Sequence, residues 1–343
     1  MKIQQTNIMI EGYKKRKKHD RGVIIILIGI VFLLACFMMS YGNTIYSLDT
    51  VVRVLLGEEV QGATFTIRTL RLPRMLAAIL CGYSFGMAGN IFQKLLGNPL
   101  ASPDVIGISS GTSVAAVFGI LILGWSGTVV SIMAVGFGLF VAFFIYFLSQ
   151  GTGNFNGRLI LVGIGTQAFL QALLSWMLVK TSEYNVSSAL HWLSGSLNGI
   201  KLENVRSLAV VVLSCSLLLF FLKRHLEILQ LGEEYAKMLG ISMSVTRLLF
   251  MFLSLFLIAF STSVSGPLVS VAFLSGPIAT KLSSGRSSNM FVSALVGVVL
   301  VLLSDIIGQF FLPARYPAGV ITGVLGAPYL LLLLLKINKK GEK

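Results

Sequence analysis

The sequence predicts an all-α polytopic membrane protein with about ten transmembrane helices. Three observations carry that prediction. The chain has 343 residues, of which 55% are hydrophobic and only 12% charged, and its mean hydropathy is +0.86. A globular core of this length has no room for so much apolar surface, so lipid must cover part of it. Apolar runs of about 20 residues, the length that crosses a bilayer, recur between Val23 and Leu335. Finally, basic residues gather before the first run (Lys2, Lys14, Lys15, Arg16, Lys17, Lys18, Arg21) and after the last (Lys336, Lys339, Lys340, Lys343). Positive charge at both ends is the signature of an even number of spans with both termini cytoplasmic. The net charge of +14 is therefore read as a topology signal. No basic patch interleaved with aromatics accompanies it, so nucleic acid is not an expected partner.

Residues 1–22 read as a basic cytoplasmic tail, 23–337 as the membrane domain and 338–343 as a second cytoplasmic tail. The first span, Val23 to Tyr41, is read as a retained helix because no convincing small-residue cleavage site follows it. A polar outer stretch, Asn43 to Thr69, precedes a second helix that opens near Pro73, where a missing N–H costs nothing in a first turn. That helix carries Gly82, Gly86 and Gly89, small residues that let helix backbones approach closely in lipid. It ends near Leu96, and the chain breaks at Asn98-Pro99. An inner turn to Asp104 follows, and the chain restarts with Gly107 and Gly111 in a third helix, Val105 to Leu123.

The fourth span is Val129 to Leu148, and Gly151 to Gly157 is an inner loop. The fifth, Leu159 to Val179, holds Thr166, Gln167 and Gln171, polar groups that face either a bundle interior or a water-filled path. Thr181 to Glu203 is placed outside and Val205 to Leu222 returns inward. Residues 223–247 form the longest polar internal segment, followed by spans at Leu248 to Val264, Pro267 to Leu282, Met290 to Ile307 and Ala318 to Leu335.

Within the internal segment, Glu233 to Leu239 reads as a short helix with two acids in its first turn and a lysine near its end, which suits the helix dipole. Gly240 stands in the usual stop position. An ordinary interfacial loop and a partner contact fit this pattern equally. Arg71 and Arg74 stand at the outer mouth, where positive charge is disfavoured; snorkelling to headgroups is one explanation.

Catalytic and metal chemistry find no foothold. There is no phosphate-binding G-x-x-x-x-G-K-[S/T] and no H-E-x-x-H, so neither a catalytic residue nor a metal site is assigned. Cys36, Cys81 and Cys215 lie singly in apolar runs and read as free thiols. Asp305 is the only acid inside an expected span, and it lies near an end. Proton-coupled transport usually needs ionisable groups at mid-depth, so energy is expected from a partner.

Several blocks then combine into a resemblance. Arg71-Leu-Pro-Arg74, Asn98-Pro-Leu-Ala-Ser-Pro103 and Gly107 to Gly111 are followed by Gly232, Glu233, Ala236, Leu239 and Gly240 in a G-E-x-x-A-x-x-L-G pattern. Tyr316-Pro-Ala-Gly-Val320 and Gly326-Ala-Pro-Tyr329 close the series. From about Arg68 to Leu335 the chain resembles the permease subunits of ABC importers for iron–siderophore complexes, haem and cobalamin. It departs from their pattern at Ser270, Gly276, Pro277 and Thr280.

The resemblance implies a permease dimer, with an identical or related second chain. Its other implied partners are two ATP-binding subunits that hold ATP and Mg, an extracytoplasmic substrate-binding protein, and the lipid of a bacterial plasma membrane. No cofactor is expected on this chain. The implied cargo is an iron–siderophore or related chelate, with haem or cobalamin as alternatives. The resemblance assigns ATPase coupling to Gly232, Glu233, Ala236, Leu239 and Gly240. Binding-protein docking falls to Arg71 and Arg74, with Arg68 one step further; Arg315 substitutes for a third arginine of some relatives, near whose place Gln309 stands.

The translocation path falls mainly to the fifth span, through Thr166, Gln167 and Gln171, with residues 151–157 near an inner gate. Bonding between helices of one subunit fits each of the three polar residues equally. An ion-coupled secondary transporter is a competing class, permitted by the break at Asn98-Pro99 but disfavoured by the missing mid-membrane acids. A membrane-embedded enzyme is a third, with no catalytic constellation to support it.

Overall fold

The computed structural model describes residues 2–151, 155–181, 183–268, 270–283 and 289–341, and every regular element among them is helical. The first helix, α1 (Lys2–Ser40), runs through the basic tail and the first span without a break. The tail and the span are thus one rod rather than two segments. The outer polar stretch contains α2 (Leu48–Leu56), whose Ser47 side chain accepts a hydrogen bond from the Thr50 N–H at 3.2 Å.

A π-helical turn, Thr66–Arg71, then feeds directly into α3 (Leu72–Leu95). Pro73 therefore lies within a continuous helical run and does not start it, as the sequence reading had it. The physical reason is the π-turn: its wider ring lets the Leu72 N–H reach the Ile67 carbonyl. That extra residue relieves the clash a proline ring makes with the carbonyl four residues back.

A 3₁₀ turn (Pro103–Ile106) leads to α4 (Ile108–Leu121), then α5 (Thr128–Ser149), α6 (Phe155–Lys180), α7 (Glu183–Leu193) and α8 (Leu202–Leu229). The short α9 (Glu233–Met238) precedes α10 (Met243–Ser265), α11 (Val271–Leu282), α12 (Met290–Ile306) with its own π-turn (Ile307–Phe311), and α13 (Ala318–Gly341). Among the described residues, 7 helical runs are long and apolar enough to cross a membrane, and Ile108–Leu121, Val271–Leu282 and Ala318–Leu333 are apolar but shorter.

The axis of the bundle is α3. It packs against α8, α10, α11 and α12, and it is buried along most of its length from Ala77 to Leu95. Its glycines explain how. A Cβ on Gly82 would lie 2.6 Å from the Gly297 carbonyl oxygen, and Gly86 and Gly89 touch the backbones of Ser293 and Ala272. Ser293 ties the first seam by donating its hydroxyl to the Gly86 carbonyl at 2.8 Å. These are backbone-to-backbone contacts, the kind that small residues permit in lipid.

Three chain breaks meet elsewhere in the bundle. Gly195 after α7, Gly266 after α10 and Gly319 at the start of α13 touch through their backbones, and the Gly319 N–H donates to the Gly195 carbonyl at 2.8 Å. The stretch Thr181 to Glu203, expected on the outer side, accordingly packs into the bundle: it contains α7, and Ala189 and Leu197 are fully buried in the main core. The eighth expected span is likewise shorter than its apolar run. Its helix begins only after Ser270, the one described non-glycine residue with a left-handed backbone (φ 71°).

Candidate functional site

Functional groups sort to three levels along the bundle, and α3 connects the outermost two. Its 24 residues span about 36 Å at 1.5 Å per residue. At the Arg71 end lies an open cavity of about 730 Å³ lined by Arg68, Arg71, Arg74, Lys201 and Arg315. No carboxylate lines it. Arg71 donates to the Met39 carbonyl at 2.7 Å and stands over the Tyr46 ring at 5.0 Å. Arg68 donates twice to the Val54 carbonyl, and Arg315 donates to Asn43 Oδ1 at 2.6 Å. All these acceptors are neutral, so the guanidinium groups are held in place while their charge stays unopposed.

Arg74 differs. Its Nε and Nη2 donate to Asp305 Oδ2 and Oδ1 at 2.8 and 2.7 Å, and its Nη1 donates to Asn198 Oδ1 at 3.1 Å. Asp305 is fully buried while the Arg74 side chain is 18% exposed. Gln309 completes the cluster by donating to Asp305 Oδ2 at 2.7 Å. The sequence reading grouped Arg74 with Arg71 and treated Asp305 as isolated; the structure pairs the two. The signal was present, since a carboxylate inside a span needs a cation. The distance in sequence concealed which one.

The second level is a polar cavity of about 320 Å³ lined by Asp104, Ser109, Ser110, Ser113, Gln167, Gln171, Leu174, Leu193, Pro267 and Leu268. Gln167 and Gln171 thus meet, one turn apart on α6, whereas Thr166 does not line this space. The sequence reading placed Asp104 in an inner turn and found no role for it. In the structure its carboxylate accepts hydrogen bonds from the hydroxyls of Ser102, at 3.1 Å, and Ser109, and it forms no ion pair among the described residues.

The chain arrives here through the Asn98-Pro99 turn, where Asn98 Oδ1 accepts from the Leu100 N–H at 2.9 Å. It leaves through Gly107 and then Gly111, which packs on Val141 of α5. The stretch 151–157 assigned to an inner gate is not all loop: Phe155, Asn156 and Gly157 belong to α6, and residues 152–154 lie outside the described residues.

The third level is α9. Lys94, in the last turn of α3, is within electrostatic reach of Lys223 and Glu227 near the end of α8, and α8 leads into α9. This short helix sits between Gly232 and Gly240 and buries only Ala236 among its described side chains. Glu233 opens it, but its side chain lies outside the described residues. Tyr235, Met238 and Leu239 are 62%, 81% and 61% exposed, an apolar knob at the end of α3 opposite the cationic cavity.

The model of the FecCD transport family matches residues 25–336. The chain belongs to that family. Relatives at similar distance agree with the FecCD assignment. The chain is 35% identical over 326 residues to the Fe(3+)-citrate import system permease protein YfmE of Bacillus subtilis, covering 94% of this chain and 97% of that one. It is 33% identical over 291 residues to the ferric enterobactin transport system permease protein FepG of Escherichia coli, covering 84% and 88%. A solved structure described as a metal-chelate type ABC transporter in an inward-facing conformation superposes with a TM-score of 0.83 at 26% identity, covering 92% of this chain and 99% of that one. A FecCD protein is a membrane transport subunit of the ABC permease kind, and the helical architecture described above is consistent with one.

Proposed function

We propose that this chain is the permease of an ABC importer that carries a ferric chelate from an extracytoplasmic binding protein into a bacterial cytoplasm. The relatives named for ferric citrate and ferric enterobactin support that cargo class. In this reading the seven long helices and three shorter ones make ten crossings, with the basic stretches before and after them on the cytoplasmic side. ATP and Mg reside on partner subunits.

The observation that carries the reading is α9. An isolated knob of Tyr235, Met238 and Leu239 on a short helix between α8 and α10 has no reason to face water unless a partner covers it. Docked in an ATPase, it passes movement to α8 and α10 directly. At the other end, Arg68, Arg71, Arg315 and Lys201 form the docking surface for acidic groups of the binding protein. Arg74, neutralised by Asp305, forms the floor of that surface.

A second permease follows from α6. Gln171 is exposed, close to the middle of a helix that lipid would otherwise surround. Hydrocarbon cannot satisfy an amide there. Facing a second copy or a related chain across a wet path, Gln167 and Gln171 become path lining.

Reconstitution of the chain with its ATPase and binding protein into liposomes tests the proposal. Iron-55 loaded as ferric citrate or as a ferric siderophore is expected to accumulate only with ATP. Uptake that follows an imposed ion gradient and ignores ATP would contradict it.

A further inference from the structure

The polar cavity between α4 and α6 holds one carboxylate, three hydroxyls and two amides, and no cation. Its height is set by α6. Gln167 is 12 residues after Phe155 and 13 before Lys180 (167 − 155 and 180 − 167), close to the middle of the 26-residue helix. Polar groups at that depth are costly and mark a pathway. Asp104 reaches this lining from the turn before α4, and its two serine donors, Ser102 and Ser109, orient its carboxylate without neutralising it. Among the described residues neither Gln167 nor Gln171 has a side-chain hydrogen-bond partner, and both line the cavity, so both amides are available to a passing molecule.

Resting on the importer reading above, we infer that this cavity is a charge filter: the Asp104 carboxylate, with Ser109, Ser110, Ser113, Gln167 and Gln171, favours neutral or cationic chelates rich in hydrogen-bond donors and slows polyanionic ones. The chemistry follows from the lining. Serine hydroxyls and glutamine amides exchange hydrogen bonds with amide, hydroxyl and carbonyl groups on a chelate's periphery. A fixed negative charge in a partly dehydrated wall repels a chelate carrying net negative charge, with no basic residue in the lining to offset it. The cationic outer cavity does the reverse, so the two levels discriminate differently. The outer level recruits an acidic protein surface, and the inner level tests what that protein releases.

The test uses the full complex in liposomes, with binding proteins chosen to load each chelate to saturation. Initial ATP-dependent uptake of iron-55 is compared for a monocationic ferric trihydroxamate, a neutral ferric trihydroxamate and polyanionic ferric citrate. In Asp104→Asn the citrate-to-neutral rate ratio is expected to rise about tenfold, the scale of removing one unit charge about 12 Å from the chelate's charge at an effective dielectric of about 20. Gln171→Glu, at an exposed position, adds a second charge and is expected to lower the same ratio.

Ratios unchanged in both variants, with uptake of the neutral chelate retained, would overturn the filter and leave the importer reading intact. Absence of ATP-dependent uptake of every chelate by the unaltered complex would overturn the importer reading, and the filter with it. If Asp104→Asn does not assemble, Gln171→Glu alone decides, since a ratio that fails to fall overturns the inference.

Discussion

Arg74 and Asp305 stand 231 positions apart in sequence and form a two-point ion pair at 2.8 and 2.7 Å. The pair joins α3 to α12 just where each helix meets its π-turn, and Asn198 and Gln309 complete its hydrogen bonding. With one partner fully buried, the bond's removal matters more than its formation. Truncating one side of a buried pair typically costs roughly 3 to 5 kcal/mol, because the remaining charge stays buried and unpaired.

Arg74→Ala is therefore expected to lower the thermal midpoint of the detergent-solubilised protein sharply, and Asp305→Asn less so, because asparagine still accepts from Arg74. The double variant Arg74→Met with Asp305→Leu recovers much of the loss. Equal, small effects from all three would show that the pair does not hold the helices together.

Gly82 and Gly165 make a matched pair for testing the helix seam. A side chain on Gly82 runs into the backbone of α12, while Gly165 on α6 has open space around it. Gly82→Leu is expected to abolish monodisperse protein in size-exclusion chromatography. Gly165→Leu is expected to leave stability within about 0.5 kcal/mol, as for surface substitutions generally.

That contrast marks what was legible in the sequence. The spacing of Gly82, Gly86 and Gly89 announced a close helix contact, because only glycine removes the Cβ at every turn. It did not announce the partner, which depends on where Gly297 and Ala272 arrive from distant segments. The short helix α9 was likewise readable from its flanking glycines and charge order. The burial of Ala189 and Leu197 was not. The stretch around them is polar enough for a loop, and only the meeting of Gly195, Gly266 and Gly319 brings those two side chains inside. Asp104 escaped notice for a related reason: a carboxylate next to a proline turn looks like an ordinary cap until α6 closes over it.

Ser270 sits in left-handed backbone that disfavours any side chain, and its side chain occupies the space that a Cβ on Gly326 of α13 would need. Such a conformation costs on the order of 1 kcal/mol or more. Ser270→Gly relieves that strain, offset by the extra chain entropy of glycine in the unfolded state. A net gain of about 0.5 to 1 kcal/mol is expected, read as a higher thermal midpoint. A fall would mean that the Ser270 side chain itself stabilises the break before α11.

The cationic outer cavity predicts salt-sensitive docking. Arg71→Glu and Lys201→Glu each place a negative charge where the lining now holds only positive ones. Both are expected to weaken capture of the binding protein, measured by surface-immobilised complex. The unaltered protein should lose affinity steadily as ionic strength rises, since exposed charges are screened within about 10 Å at 0.1 M salt. Affinity indifferent to both substitutions and to salt would remove this cavity from the docking surface.

The central claim is that α9 engages an ATPase, and affinity purification of the tagged chain from its native membrane tests it most directly. An ATP-binding subunit is expected to co-purify in stoichiometric amount. It is expected to be lost on Met238→Glu, a change at a side chain 81% exposed that leaves the fold and the thermal midpoint unchanged. Recovery of folded protein without any nucleotide-binding companion, or retention of that companion by Met238→Glu together with Tyr235→Glu, would contradict the account.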